Sequence, residues 1–210
     1  MAKLESSFKN MVLSLVSIAL VAAVALAGVY LLTQETITKQ ETEKKESAMR
    51  EVLLSAGEGA VFSEPEKVAV DKDTIIVHRA MKDGKEVGAA IETRENGFGG
   101  MQEIMVGLDT KGVIIDYKVL KHQETPGLGD HIKEWFKNAD KPKQNIIGRQ
   151  AGSLKVTKQE GDVDGITAAT ISSIHFLNAI NKAYAAYTGS ADAHSGASKQ
   201  VKEEKEADHE

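Results

Sequence analysis

Residues 104–120 read Ile104-Met105-Val106-Gly107-Leu108-Asp109-Thr110-Lys111-Gly112-Val113-Ile114-Ile115-Asp116-Tyr117-Lys118-Val119-Leu120. Two runs of β-branched and apolar residues, 104–108 and 113–120, flank Asp-Thr-Lys-Gly. The runs suit a pleated, half-buried surface and the glycine supplies the turn, so the stretch predicts a β-hairpin. From Val68 onward the same texture recurs at 74–77 and 87–91, punctuated by Asp83-Gly84. Short strands joined by tight turns build an antiparallel sheet, and the helices of the fold must come from its flanks.

Just before the hairpin, Gly97-Phe98-Gly99-Gly100 reads as a flexible connection between strands. Further upstream, residues 34–54 are charged and lack Gly and Pro, with Ala48, Met49, Val52 and Leu53 grouped at helical spacing. They predict a helical stalk. Residues 11–32 carry no charge, and an uncharged run of about 22 residues is long enough to span a hydrocarbon core as one helix. Ala25-Leu26-Ala27 resembles a signal-peptidase site, but the apolar run continues through Leu32, which favours a retained anchor. Lys3, Lys9 and the amino terminus outweigh Glu5 on the leading flank. That bias places the N-terminus inside and residues 33–210 outside the cytoplasm.

Downstream of the hairpin comes Glu124-Thr125-Pro126-Gly127-Leu128-Gly129-Asp130. Pro126 stiffens the loop. Gly127 and Gly129 permit positive φ and close backbone approach, so Leu128 can be presented to a flat ring while Glu124 and Thr125 supply polar edges. The same residues also make an ordinary turn. A short helix is expected around 132–136, with Trp135 and Phe136 as core aromatics.

The last patterned stretch is Asp164-Gly165-Ile166-Thr167-Ala168-Ala169-Thr170, followed by Ile174, Leu177, Ile180, Tyr184 and Tyr187 at three- and four-residue spacing. That spacing predicts a helix with one buried face, and it puts the heptad at the helix N-terminus. A phosphate held there meets unpaired N–H groups and the positive end of the helix dipole. Gly165 permits a tight turn, Ala168 and Ala169 leave room for a ligand, and Asp164 is placed to bind a cation or cap the helix. The Thr170 hydroxyl can then carry a phosphodiester. Read blandly, the same heptad is an Asp-Gly turn and a Thr167 N-cap.

Composition narrows the functions. The net charge is −5 and lysines are interleaved with glutamates, so no basic face exists for nucleic acid. Without cysteine, disulfides, thiolate-held iron–sulfur clusters, thioether haem and cysteine nucleophiles are excluded. The six histidines show no metal-binding spacing and read as surface or structural residues. The expected organisation is a cytoplasmic N-terminus at 1–10, a transmembrane helix at 11–32, a stalk at 33–57, one domain at 58–187 and a disordered polar tail at 188–210. The fold class is α+β: an antiparallel sheet with packed helices behind a single membrane helix. About 130 residues suffice for one core.

Taken in order, the apolar span, the stalk, Gly97–Gly100, E-T-P-G-L-G at 124–129 and D-G-I-T-A-A-T at 164–170 resemble a known layout. The chain resembles the G subunit of the Rnf ion-translocating electron-transport complex, whose FMN-binding domain is related to that of the C subunit of the Na+-translocating NADH:quinone reductase. It departs from the usual motif in having Ala168 where Gly precedes the Ala-Thr pair. The resemblance implies one FMN per chain, joined to Thr170 through a phosphoester and attached after export by a flavin transferase that uses FAD. It also implies that Glu124, Thr125, Gly127 and Leu128 lie near the flavin, and that Thr167 and Ala169 lie near its phosphate. Asp164 and Gly165 would serve the transferase, and no catalytic side chain and no metal are implied. The protein would relay electrons in the membrane beside other subunits of a complex that couples electron transfer between ferredoxin and NAD to movement of Na+ or H+. Two alternatives use the same residues: a stand-alone anchored flavin reductase, and a tethered scaffold or binding domain without redox chemistry.

Overall fold

The computed structural model describes residues 7–54 and 59–189. Its first element is helix α1, Phe8–Val52. Residues up to Lys44 form one compact unit and those from Lys45 a second.

In the first unit α1 is long and apolar enough to cross a membrane. Its polar side chains do not spoil that face. The hydroxyls of Ser17, Thr33, Thr38 and Thr42 donate to the carbonyls of Leu13, Val29, Gln34 and Thr38 at 2.7–3.0 Å, which satisfies them within the helix itself. Gly28 does not break the helix, and α1 is unbroken where the sequence separates a span from a stalk.

The second unit is built on six antiparallel strands: β1 Val61–Phe62, β2 Glu66–Val70, β3 Asp73–Lys82, β4 Lys85–Asn96, β5 Met101–Leu108 and β6 Ile114–Lys121. Strands β3 to β6 are neighbours in sequence order, and β1 and β2 both pair with β3. The expected hairpin is β5–β6, registered Val106 opposite Tyr117, with Asp109 Oδ1 accepting the N–H groups of Lys111 and Val113 at 2.8 Å. Strands β3 and β4 run well beyond the expected apolar runs, because ladder pairing carries polar residues such as Glu92 and Arg94 along with it. The same effect explains β2, whose Glu-Lys start hides a strand paired along its whole length with β3.

Residue alternation sorts the two faces of the sheet. Ala90 and Met105 point to one side and pack with Ala48 and Val52, at the buried end of α1, and with Leu53 just beyond it. Gly107 permits that approach, since a Cβ there would overlap the Val52 carbonyl. Ile91, Ile104 and Val106 point to the other side, against helix α2, Thr170–Thr188. The central strands are therefore covered on both faces.

Helix α2 corrects the expected single stripe. Phe176, Ala179 and Ala183 are fully buried, whereas Ile174, Tyr184 and Tyr187 are only half-buried; Ser172, Ser173, Asn178, Asn181 and Lys182 are buried too. The cause is the irregular segment between β6 and α2, which covers the flank of the helix away from the sheet. Asn181 fixes it there by accepting from Gly152 N and Leu154 N at 3.1 and 3.0 Å and donating to Leu154 O at 2.9 Å. The expected short helix in that segment is two 3₁₀ turns, Gly129–Lys133 and Trp135–Lys137. Phe136 stacks on Phe176 at 4.8 Å, and Tyr117 meets the same ring edge-on while donating to Ile132 O at 2.9 Å. Burial drives the Tyr117 phenol well above its ordinary range. Helix α2 ends at Gly189, in the left-handed conformation that favours glycine. Of the expected tail at 188–210, Thr188 is the last residue of α2 and Gly189 its C-cap, and 190–210 lie outside the described residues, as do 1–6 and 55–58.

Candidate functional site

Three chain segments converge at one end of the sheet. They are the β4–β5 connection at 97–100, the loop from Glu124 to Gly129 after β6, and the first turn of α2. Between them lies a cleft of about 280 Å³, near the lower end of small-molecule sites. Phe98, Leu128 and Ile171 supply its apolar walls, and Thr125, Ala169 and Thr170 its edge.

Glu124 ties the three segments together. It is 5 % exposed, and its carboxylate accepts from Gln102 Nε2 at 2.7 Å, Ser172 Oγ at 2.6 Å and, more weakly, Gly99 N at 3.4 Å. Buried acceptors need such partners, and here each comes from a different segment. The glycines follow from the same crowding. A Cβ on Gly97 would overlap Glu124 Oε1 and Gln102 Nε2, and one on Gly129 would come within 2.6 Å of Glu124 Oε2. Gly129 thus serves close approach without positive φ. Gly127 is the left-handed one, at φ 75°, in the turn closed by Leu128 N donating to Thr125 O at 3.1 Å.

Helix α2 begins at Thr170, with Ala169 as its N-cap and no side chain capping the exposed N–H groups. Neither Asp164 nor Thr167 caps it. Asp164 lies too far upstream, where its backbone N–H donates to Lys143 O and its carbonyl accepts Trp135 Nε1, both at 2.8 Å. The tight turn falls at Thr167-Ala168, closed by Ala169 N donating to Ile166 O at 3.1 Å, and Ala168 takes φ 62°. Gly165 is not in that turn; a Cβ there would press on Val156 and Ser173 at 3.3–3.4 Å. Ser173 holds the heptad to the helix, accepting from Ile166 N at 2.8 Å and donating to Ala169 O at 3.0 Å.

A second cleft, of about 440 Å³, borders Thr170 from another side. Asp164, Gly165, Thr167, Trp135, Lys141 and Lys158 help line it. Lys158 Nζ donates to Thr170 Oγ1 at 2.9 Å. The structure therefore gathers Glu124, Thr125, Leu128, Ala169 and Thr170 around one cleft. Asp164, Gly165 and Thr167 fall on the other, and Gly127 lines neither. Sequence reading missed Phe98, Ser172, Gln102 and Lys158. Only Phe98, a lone aromatic among glycines, carried a signal that could have been used.

Such an arrangement fits a group with one flat apolar part and one anionic part. The apolar walls take the first, and the uncapped helix start with the Lys158 ammonium takes the second. Among the described residues no cluster of three or more His, Cys, Asp or Glu could hold a metal ion.

Behind the β4–β5 connection, Lys182 of α2 meets Asp73 and Glu95 at 2.6 Å each, and His175 Nδ1 lies 3.5 Å from Glu95. Burial alone would raise the Glu95 carboxyl, but the adjacent His175 and the Lys182 ammonium hold it below its ordinary value. Burial would likewise lower Lys182, and its two carboxylates raise it instead.

Known proteins match the same segments. Residues 97–185 match the FMN-binding domain family and residues 1–52 the RnfG N-terminal region. The G subunit of the ion-translocating oxidoreductase complex of Salmonella typhi is 32% identical over 161 residues, covering 72% of this chain and 77% of that protein. The protein of the same name from Methanosarcina acetivorans is 30% identical over 177 residues, covering 83% and 91%. A crystal structure of the C subunit of the Na+-translocating NADH-quinone reductase from Parabacteroides distasonis aligns with a TM-score of 0.45 and 18% identity, covering 75% of this chain and 96% of that one.

Proposed function

The chain belongs to the RnfG family, the G subunits of ion-translocating oxidoreductase complexes, and on that premise we propose that it is a membrane-anchored electron relay carrying FMN covalently on Thr170. One observation carries the reading. Thr170 is the first residue of an uncapped helix, on the rim of an apolar cleft, with an ammonium on its hydroxyl.

In this reading Phe98, Leu128 and Ile171 flank the isoalloxazine ring and exclude water from it. Glu124 holds the cleft walls together from behind, and Thr125 borders the ring. The α2 N–H groups and Lys158 hold the phosphoryl group, with Thr167, Ala168 and Ala169 forming the turn beneath it. FMN supplies one- and two-electron chemistry, while the protein fixes its position and tunes its potential. No side chain acts as an acid or base, and no metal is required. A covalent link suits an extracytoplasmic domain, because a cofactor lost by dissociation there could not readily be replaced.

The remaining parts follow the same reading. Residues 11–32 span the membrane, 33–44 form the stalk, and the unit that begins at Lys45, whose Ala48, Val52 and Leu53 pack on the sheet, holds the flavin outside the cytoplasm. Asp164 and Gly165, on the second cleft, are recognised by a flavin transferase during maturation. The working partners are the other membrane subunits of an Rnf-type complex that links ferredoxin and NAD to ion movement.

The test is intact mass and in-gel flavin fluorescence on full-length protein made with an exported flavin transferase. Wild type and Thr167→Ala should carry one FMN and Thr170→Ala none. An unmodified wild type, or a Thr170→Ala variant that still gains flavin, overturns the assignment.

A further inference from the structure

Resting on the reading of Thr170 as the flavin attachment site, we propose that Lys158 is a positioning residue for that attachment. Its ammonium holds Thr170 Oγ1 during transfer and remains as the counter-charge of the finished phosphoester.

The loop that precedes the heptad is folded to deliver this one side chain. Lys158 sits in the middle of the 3₁₀ turn Thr157–Gln159. The turn is pinned at both ends, with Thr157 N donating to Val163 O and Gln159 N to Val156 O, each at 2.8 Å. Val156 and Val163 pair in a short parallel bridge, and Glu160 turns the chain back with φ 59°. The segment entering the heptad is thereby doubled on itself, and Lys158 reaches a hydroxyl 12 residues further along. Lys45, Lys118, Lys137 and Lys182 are spent on carboxylates, whereas Lys158 donates to a neutral oxygen.

An ammonium in that place acts both before and after modification. In the transfer, Thr170 Oγ forms a bond to the flavin-side phosphorus of a flavin adenine dinucleotide. The bond from that phosphorus to the bridging oxygen breaks, AMP leaves with the electron pair, and the hydroxyl proton passes to a base of the transferase. A cationic donor on Oγ1 stabilises the negative charge that builds on this oxygen as its proton departs. Once the ester has formed, the anionic phosphoryl group occupies the position the ammonium already faces. Lys158 is exposed, so both effects should weaken with added salt.

The experiment follows flavin attachment on the full-length protein in detergent, with purified transferase, FAD and Mg2+, by intact mass over time. Lys158→Met should slow attachment about ten- to thirtyfold, as expected for loss of one charge-assisted hydrogen bond. Lys158→Arg should keep most of the rate, and salt should slow wild type more than Lys158→Met. A second readout is the rise in Tm on flavin loading, which should be smaller in Lys158→Met than in wild type while the Tm of the unloaded proteins agrees. Attachment and Tm rise both equal to wild type in Lys158→Met overturn the proposal and leave the Thr170 reading standing. A wild type that gains no flavin overturns the reading itself. Should Lys158→Met fail to fold, Lys158→Gln replaces it under the same criteria, and an equal salt response in wild type and Lys158→Gln overturns the proposal.

Discussion

Replacing Glu124 by alanine should loosen the cleft from its centre. The carboxylate accepts two short hydrogen bonds, from Gln102 Nε2 at 2.7 Å and Ser172 Oγ at 2.6 Å. Gln102 and Ser172 are themselves buried, at 0 % and 1 % exposure, so truncation removes their acceptor in a place with little water. A hydrogen bond to a charged group contributes about 1.5–3 kcal/mol, and two sharing one acceptor group are less than additive, which gives a loss of about 3–4 kcal/mol. For a domain of this size that corresponds to a fall in Tm of about 10–15 °C. Unfolding of the unloaded full-length protein can be followed by the fluorescence of Trp135, the single tryptophan, whose indole N–H is tied to the Asp164 carbonyl. Ser172→Ala and the double variant complete a cycle, with an expected coupling of about 1–2 kcal/mol. A Tm fall under about 3 °C, or a cycle additive within about 0.3 kcal/mol, would refute the idea that this carboxylate joins the three segments.

Two further outcomes follow from the same structure. Ala168→Gly should stabilise the domain by about 1 kcal/mol, because a side chain at φ 62° is disfavoured and glycine is not; an unchanged or lower midpoint in urea would count against it. Lys182→Met should cost about 3 kcal/mol, since it leaves the largely buried Glu95 without its cation. The pH dependence has two signs. Glu95 is held low in the fold, so its contribution is present above its ordinary 4.5 and is lost as pH falls through the depressed value. Lys182 is held high, so its contribution is fully present below its ordinary 10.5 and is lost as pH rises through the raised value. Stability measured against pH should therefore fall at both ends in wild type. Lys182→Met should show a shallower alkaline fall, the remainder coming from the phenols of the buried Tyr117 and the half-buried Tyr187, which deprotonate more readily in the unfolded chain; if it keeps the wild-type profile, the network is not the cause.

The sheet was legible because its hairpin combined apolar runs with a turn residue at each reversal, and strand alternation then fixed which face met which helix. The heptad was legible as a loop entering a helix for a similar reason, since periodicity begins just past it. Strand β2 was not, because its Glu-Lys start resembles a surface loop and only pairing with β3 makes it a strand. The environment of α2 was hidden as well. Ser172, Asn181 and Lys182 look solvent-facing in one dimension, yet each is buried because its partner is distant in sequence: Glu124, Leu154 or Glu95. Gly165 was misread in the other direction, as a turn former rather than a point of close packing. Lys158 shows the limit most plainly. Nothing in its neighbours distinguishes it from the other lysines until the loop has folded back.

The crowding around Glu124 also constrains how the sequence can change over time. Gly97 and Gly129 are excluded from growing a side chain by the same carboxylate that Gln102 and Ser172 require. A shorter residue at 124 would strand both donors and still leave Gln102 crowding a Cβ on Gly97 and Ser172 one on Gly129, and a larger residue at 97 or 129 would displace the carboxylate from them. Every single step away from this combination is unfavourable, even where a joint replacement could fill the same volume. These positions should therefore behave epistatically: a library randomised at 97, 124 and 129 together would return the native trio or wholly different sets, with few variants in between.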